Sequence, residues 1–325
     1  MDPPQARRLL ARMLATMETR GPDGSGQFIE ADIVMGMRRL AVIDVKGGGQ
    51  PLLSQDGQVV AFQNGEIYNH VELRHELERS GVVFRTTSDT EVLAHGYDHW
   101  GMDGLLAKLD GMYAIAILDR QSHRLHLARD RFGEKPLYYS ATTRRFAYSS
   151  NTRALALLPW VDRDIDVGSV DRYLALHYVP GRRTILRGIQ RVLPGERLTI
   201  SLQSFHISHE RYYRPPVGPI ESVDSRTLLS RIESAVTSRL VSDVPVGVFL
   251  SGGIDSSIVA AVAAQHHPAI DTFSMGFKDA RCDESHHAEV VARAIGSSHH
   301  HFTFDETAFH ELLPMVVEGL DEPIG

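Results

Sequence analysis

The order of apolar and polar positions divides the chain into two halves with different rhythms. Near the start, Leu9, Leu10, Met13, Leu14 and Met17 recur at helical spacing and stop at Gly21-Pro22, which predicts an amphipathic helix running into a loop. From there to about residue 150, short alternating or apolar runs predict strands: VVAFQN at 59–64, MYAIAILD at 112–119 and RLHLAR at 124–129. Helical stretches lie between them. One, 69–81, has Asn69 as its expected N-cap, Glu72 three positions on, and Gly81 beyond its last turn. Residues 150–205 predict a tail of small elements, a helix near 167–179 and a strand at 196–202. The Pro-rich, polar stretch RYYRPPVGPIESVD at 211–224 is the expected linker.

Beyond the linker the pattern alternates. A helix is predicted at 228–241, a strand at 244–250, a helix at 255–265, a strand at 271–277, a helix at 284–296 and a strand at 299–304. Alternation of this kind predicts a parallel sheet with helices on its faces, whose ligands bind at the carboxyl ends of the strands. The expected domains are therefore 1–210, of mixed α+β type, and 225–325, of α/β type.

Composition narrows the partners. With 34 Lys and Arg against 41 Asp and Glu, the net charge of -7 leaves no overall excess of positive charge for nucleic acid. No apolar run reaches the roughly 18 residues that span a bilayer, and MDPPQARR lacks the apolar core of a signal peptide. A cytoplasmic location without membrane contact is expected, with a homodimer as one option. The single cysteine, Cys282, rules out an internal disulfide framework and reads as an incidental thiol. His299, His300 and His301 would alternate along a strand and His286 and His287 would diverge on a helix, so neither group is expected to converge on a metal ion.

The sharpest chemical signal is SGGIDSS at 251–257, which joins an apolar strand to the start of a helix. Free backbone N–H groups and the helix dipole favour an anion there, Gly252 and Gly253 let the backbone come close, and Ser251, Ser256 and Ser257 add hydroxyls. Ile254 and Asp255 stand where a P-loop would need its Lys, which disfavours transfer of a terminal phosphoryl group. The stretch resembles the PP-loop of ATP pyrophosphatases, an adenine nucleotide alpha hydrolase-like domain. That resemblance implies that Leu250, Ser251, Gly252, Gly253, Asp255, Ser256 and Met275 bind ATP, and that Asp255 meets a Mg²⁺ ion through the departing pyrophosphate.

In the first half, RGPDG at 20–24, RLAVID at 39–44, NGEIYN at 64–69, SDTE at 88–91 and ARDRFGEKPLYY at 128–139 occur in sequence. Singly each has a plain reading: Asn64-Gly65 as a hairpin turn, Asp89 as a helix cap, Arg39 as a surface charge. Together, and followed by SGGIDSS, they resemble the glutamine-hydrolysing asparagine synthetase family over nearly the whole chain: a class II glutamine amidotransferase domain of the Ntn-type αββα fold, then the PP-loop domain. The resemblance implies that Arg39 holds the α-carboxylate of glutamine by paired hydrogen bonds and Asp89 its ammonium group. Leu40, Ala41, Val42, Ile43 and Glu66 would line the same pocket, and Asn64 with Gly65 N–H would meet the oxyanion.

The implied reaction adenylates aspartate with ATP and amidates the aspartyl-AMP, releasing AMP and pyrophosphate. Alternatives are an amidotransferase for another carboxylic acid, a ring-closing relative such as β-lactam synthetase, which Arg39, Asn64 and Asp89 argue against, and an inactive ligand-binding or scaffold fragment. The family's nucleophile is an N-terminal cysteine. Met1-Asp2 opens this chain, Cys282 lies in the second half, and the chain stops at DEPIG, so the expectation is a fragment truncated at both ends and without glutaminase activity as written.

Overall fold

A computed structural model describes residues 3–218, 223–278, 281 and 283–323; Cys282 lies outside the described residues. The chain divides into one unit of residues 1–216 with 321–325, and a second of residues 217–320.

The first unit begins with helix α1 (Pro3–Ala15) and the hairpin β1 (Gly24–Glu30) and β2 (Ile33–Arg39). Next come β3 (Leu52–Leu53), β4 (Val59–Ile67), α2 (His70–Arg79), α3 (Glu91–Lys108), β5 (Gly111–Asp119) and β6 (Arg124–Arg129). Then follow β7 (Tyr138–Thr142), β8 (Arg145–Ser149), α4 (Thr152–Ala156), α5 (Val167–Leu176), β9 (Gln190–Arg191), β10 (Glu196–Ser201) and β11 (Ile207–Arg211). Among the described residues the main sheet is antiparallel, in the order β11-β10-β6-β5-β4-β3, and β8-β7-β9 form a second sheet.

Period-two patterning explains the layers. In β4, Val59 and Ala61 pack with Leu73 of α2 and Val92, Leu93 and Leu105 of α3, while Val60 and Phe62 pack the opposite way, with Met35 of β2 and Tyr139 of β7. On the far side of the second sheet, Tyr138 packs against Leu9 of α1 and Leu155 of α4. The result is a helix-sheet-sheet-helix sandwich, the αββα arrangement the resemblance implied. A sheet buried on both faces needs apolar residues at successive positions, which is why β4 and β5 read as continuous apolar runs.

One local expectation changes, and one of the plain single-motif readings falls. Asn69 does precede α2, but its side chain makes no cap: Oδ1 accepts from Asp110 N at 3.0 Å and Nδ2 donates to Lys108 O at 2.9 Å, so it ties α2 to the end of α3. Asn64-Gly65 is not a hairpin turn; it lies inside β4, opposite Ala114 and Tyr113.

In the second unit α6 (Ser225–Ser238) precedes β12 (Gly247–Phe249), α7 (Ile254–His266), β13 (Asp271–Phe277), α8 (Ser285–Ile295), β14 (Ser298–Phe304) and α9 (Glu306–Gly319). β12, β13 and β14 pair in parallel in that order, as the alternation predicted. Val262 and Ala263 of α7 pack with Val236 of α6, and Ala260 with Ala288 and Ala292 of α8. His299 and His301 bond Ser274 while His300 stacks on Phe273, so the triplet does alternate. His286 and His287 do not diverge: at the start of α8 their ring centroids are 3.8 Å apart. No helix of the described residues is long and apolar enough to cross a membrane.

Candidate functional site

The candidate site residues of the first unit are assembled by hydrogen bonds between loops. Asp23 of RGPDG pairs with the end of β2: its N–H donates to Arg39 O at 2.9 Å and its carboxylate accepts from Ala41 N at 2.9 Å. Gly21 lets this crossing happen, because a Cβ there would lie 2.5 Å from the Arg38 carbonyl carbon. RGPDG thus orients RLAVID. Arg39 is half-buried, not a free surface charge. Its guanidinium donates through Nη2 to Ile43 O and Asp44 O, both at 2.8 Å, and through Nη1 to Val45 O at 3.2 Å. Ala41 and Ile43 are buried and Leu40 is exposed.

Asp44 joins this loop to SDTE. Its carboxylate accepts from Gly47 N at 2.8 Å and from Thr87 N at 2.9 Å. Burial by itself would raise the Asp44 pKa, but those N–H donors and the Arg39 charge together hold it below the usual value. Gln50 adds a second link, donating to Thr90 Oγ1 at 3.2 Å and accepting from Gln63 N at 2.7 Å. Glu91 anchors the other end of the SDTE loop by accepting from Arg85 N at 2.9 Å, Thr86 N at 2.8 Å and Thr86 Oγ1 at 2.6 Å. Asp89 is therefore held from both sides. It does not cap α3, whose N-cap is Thr90.

At the centre, Asp89 Oδ2 accepts from Gln63 Nε2 at 2.7 Å and Ile67 N at 2.9 Å, which brings SDTE onto the end of β4. Asn64 Nδ2 and Glu66 Oε2 in the same stretch are buried without a hydrogen-bond partner. Gly65 has φ +138, and a Cβ there would stand 1.9 Å from Met112 O, so only glycine lets β4 approach β5 so closely. Burial, with the neighbouring Asp89 carboxylate, pushes Glu66 up to about 8. Asp89 is raised as well, chiefly by burial. Asn64, Gly65, Glu66 and Asp89 are thus gathered at one place, with Arg39 tied to them through Asp44.

Asp130 of ARDRFGEKPLYY accepts N–H bonds from Phe132 at 3.1 Å, Glu134 at 2.9 Å and Lys135 at 3.0 Å, while Arg129 donates to the carbonyls of Gly133 and Lys135, both at 2.7 Å. The motif is a folded loop that fixes Lys135, whose charge acts on Glu66. Asp44, Gln50, Gln63, Glu91 and Asp130 hold these segments in place, and sequence reading assigned none of them a role. Asp44, Glu91 and Asp130 lay inside the quoted motifs, which was the available signal.

In the second unit, Leu250 is buried and continues the parallel pairing by donating to Phe273 O at 2.8 Å. Ser251, Gly253 and Asp255 are exposed, and Met275 on β13 is 58% exposed. Ser256 and Ser257 close the turn by donating to Gly253 O at 3.1 and 2.7 Å, and Ser251 Oγ lies 2.9 Å from Ser256 Oγ. Gly252 is the demanding glycine: φ is +80 and a Cβ would meet His287 Cβ at 2.5 Å. Gly253 has φ -70, and a Cβ would approach nothing nearer than Ser251 Oγ at 3.4 Å.

The comparisons agree with this division. The glutamine amidotransferase domain family matches residues 1–213, and the asparagine synthase family matches residues 227–325. Asparagine synthetase [glutamine-hydrolyzing] 1 of Bacillus subtilis is 36% identical over 97% of this chain and 50% of its own length. A putative asparagine synthetase [glutamine-hydrolyzing] of Mycobacterium tuberculosis is also 36% identical, over 97% of this chain and 51% of its own. The chain spans about half the length of these curated relatives. Among solved structures, the glutamine phosphoribosylpyrophosphate amidotransferase of B. subtilis is 20% identical over 98% of this chain and 69% of its own, with a TM-score of 0.46, too loose to bear on the site. On the match to residues 1–213, the chain belongs to the glutamine amidotransferase domain family.

Proposed function

We propose that this chain carries the glutamine site and the start of the ATP site of a glutamine-dependent asparagine synthetase. The observation that supports this most is the buried Asn64 amide nitrogen, which has no partner and sits one residue before Gly65 in a strand that also carries Glu66. A buried donor left open is costly unless a ligand uses it. A carbonyl oxygen gaining negative charge is the acceptor it suits. Asp89 and Glu66 would take the α-ammonium group. Arg39 would give its remaining guanidinium N–H groups to the α-carboxylate, because three of its donors already serve residues 43–45. Aspartate as acceptor rests on the similarity to asparagine synthetases.

In the second unit, Ser251, Gly252, Gly253 and Ser256 form the turn that would face the β and γ phosphates of ATP, with Leu250 and Met275 beside it. Asp255 is exposed in the first turn of α7 and fits a single-carboxylate contact to Mg²⁺ held mainly by the phosphates. The ion would neutralise charge on the leaving pyrophosphate.

Calorimetry on the purified chain tests both sites. L-glutamine and MgATP should each bind, Asp89→Asn should abolish the first heat alone, and absence of both heats in the wild type rejects the reading.

A further inference from the structure

We propose that Gln63 belongs to the amino-group site: its amide nitrogen locks Asp89 in place, and its amide oxygen accepts one N–H of the bound amino acid's ammonium group. This rests on the glutamine reading above and adds a residue to the site.

The outer edge of β4 is only partly covered by a strand. β3 pairs with it at Val60 and Ala61, through Leu53 and Leu52. Alternate residues of a strand turn their N–H groups to the same side, so Gln63, Gly65 and Ile67 share the edge beyond β3. Side chains stand in for a strand there: Gln50 Oε1 accepts from Gln63 N at 2.7 Å, and Asp89 Oδ2 accepts from Ile67 N at 2.9 Å. Gly65, whose N–H would meet the oxyanion, lies between these two bonds. Gln63 and Asp89 therefore border the stretch of edge on which the ligand would lie.

The Gln63 side chain has one end used and one end open. It is 5% exposed, and its Nε2 donates to Asp89 Oδ2 at 2.7 Å. A backbone N–H can only donate, so the bond from Ile67 marks Oδ2 as an acceptor, and Gln63 must face it with its NH₂ group. Turning the amide over is thereby ruled out. Gln63 Oε1 is left buried without a hydrogen-bond partner. A buried acceptor costs stability unless something donates to it.

The spacing suits an ammonium group. Oε1 and Nε2 share a carbon and stand about 2.2 Å apart, so Oε1 lies within about 5 Å of Asp89 Oδ2. One ammonium nitrogen can bridge two such oxygens with charge-assisted bonds of about 2.8 Å each. Such a group carries three N–H donors. Asp89 and Glu66 take two on the reading above, and Gln63 Oε1 takes the third. A ligand whose amino group is acylated, or replaced by a hydroxyl, has one donor for three acceptors, so the pocket selects a free α-amino acid.

The experiment is a crystal structure of the full chain with L-glutamine, together with calorimetry of L-glutamine binding to the wild type and to Gln63→Met. The ammonium nitrogen should lie about 2.8–3.0 Å from Gln63 Oε1. Gln63→Met keeps an unbranched side chain of similar size and should bind glutamine about 10- to 100-fold more weakly. An ammonium nitrogen more than about 4 Å from Oε1, or a folded Gln63→Met within about twofold of the wild-type affinity, overturns the role of Gln63 and leaves the glutamine site standing. The crystal structure needs no variant and decides the question alone if Gln63→Met does not fold. No glutamine binding in the wild type overturns the glutamine reading, and this proposal with it.

Discussion

Replacing Gly65 by Ala should cost the first unit far more than the same change at Gly81, although both glycines have positive φ. At Gly81, φ is +89 and a Cβ would meet nothing within 4 Å, so the change adds only backbone strain, about 1 kcal/mol. At Gly65, φ is +138 and the Cβ would lie 1.9 Å from Met112 O, which is backbone and cannot rotate away. To reach ordinary contact, β4 and β5 must part by more than an ångström where Gly65 faces Tyr113. Two or three ladder hydrogen bonds around that point would be lost, each contributing about 1 kcal/mol. With the strain included, Gly65→Ala should destabilise by about 4 kcal/mol. The assay is urea unfolding followed by tryptophan fluorescence, since the two tryptophans, Trp100 and Trp160, both lie in the first unit. With m about 2.5 kcal/mol/M, the midpoint should fall by roughly 0.4 M for Gly81→Ala and roughly 1.6 M for Gly65→Ala. Equal shifts would refute the close approach of the strands.

Glu91→Gln should lower stability by about 1–3 kcal/mol at neutral pH. Burial would raise the Glu91 pKa, but bonds from His95, Thr86 and Arg85 outweigh it and hold it at about 2, below the ordinary 4.5. A depressed carboxylate stabilises fully above pH 4.5 and loses that contribution as the pH falls towards 2, so wild-type and variant urea midpoints should converge in that window. Asp130→Asn should destabilise the first unit by about 2 kcal/mol, because an amide oxygen is a weaker acceptor for the loop N–H groups and its NH₂ would face them. The same fluorescence midpoint reads the loss. In the second unit Gly252→Ala should abolish MgATP binding by calorimetry while Gly253→Ala retains it, as only Gly252 combines positive φ with a 2.5 Å approach to His287.

The sheets and most helices could be read from the chain because their signals are local. Continuous apolar runs such as residues 59–62 and the strand-helix alternation after residue 225 record which faces are covered. The hairpin of β1 and β2 gave little signal: GSGQFIE and IVMGMRR are broken by glycines and charges, since this pair buries its residues only in part. α9 was missed although Phe309, Leu312, Leu313 and Val316 recur at helical spacing; Pro314 inside it is the local signal against a helix. In the pocket, motif residues could be named, but the work that Asp44, Gln50 and Gln63 do could not. Their partners lie far along the chain, Thr87, Thr90 and Asp89, and a pairing across 26 to 43 positions leaves no periodicity in the sequence. Arg39 shows the opposite case: its position suggested two donors aimed at a ligand, and the fold commits three to its own loop.

The setting of Asn64 and Gly65 inside the β4–β5 ladder bears on motion as well as on chemistry. Amide hydrogens in a central ladder exchange with solvent mainly when the whole unit unfolds, whereas those of surface loops exchange through small local openings. Protection at residues 64–67 should then track global stability, while residues 43–48 and 85–88 exchange earlier. On the proposed function, glutamine would gain entry by displacement of those loops over the strand ladder. On the same reading, a floor held by this ladder would have the oxyanion donors in position before the carbonyl arrives, and opening of the loops would set the pace of entry and exit.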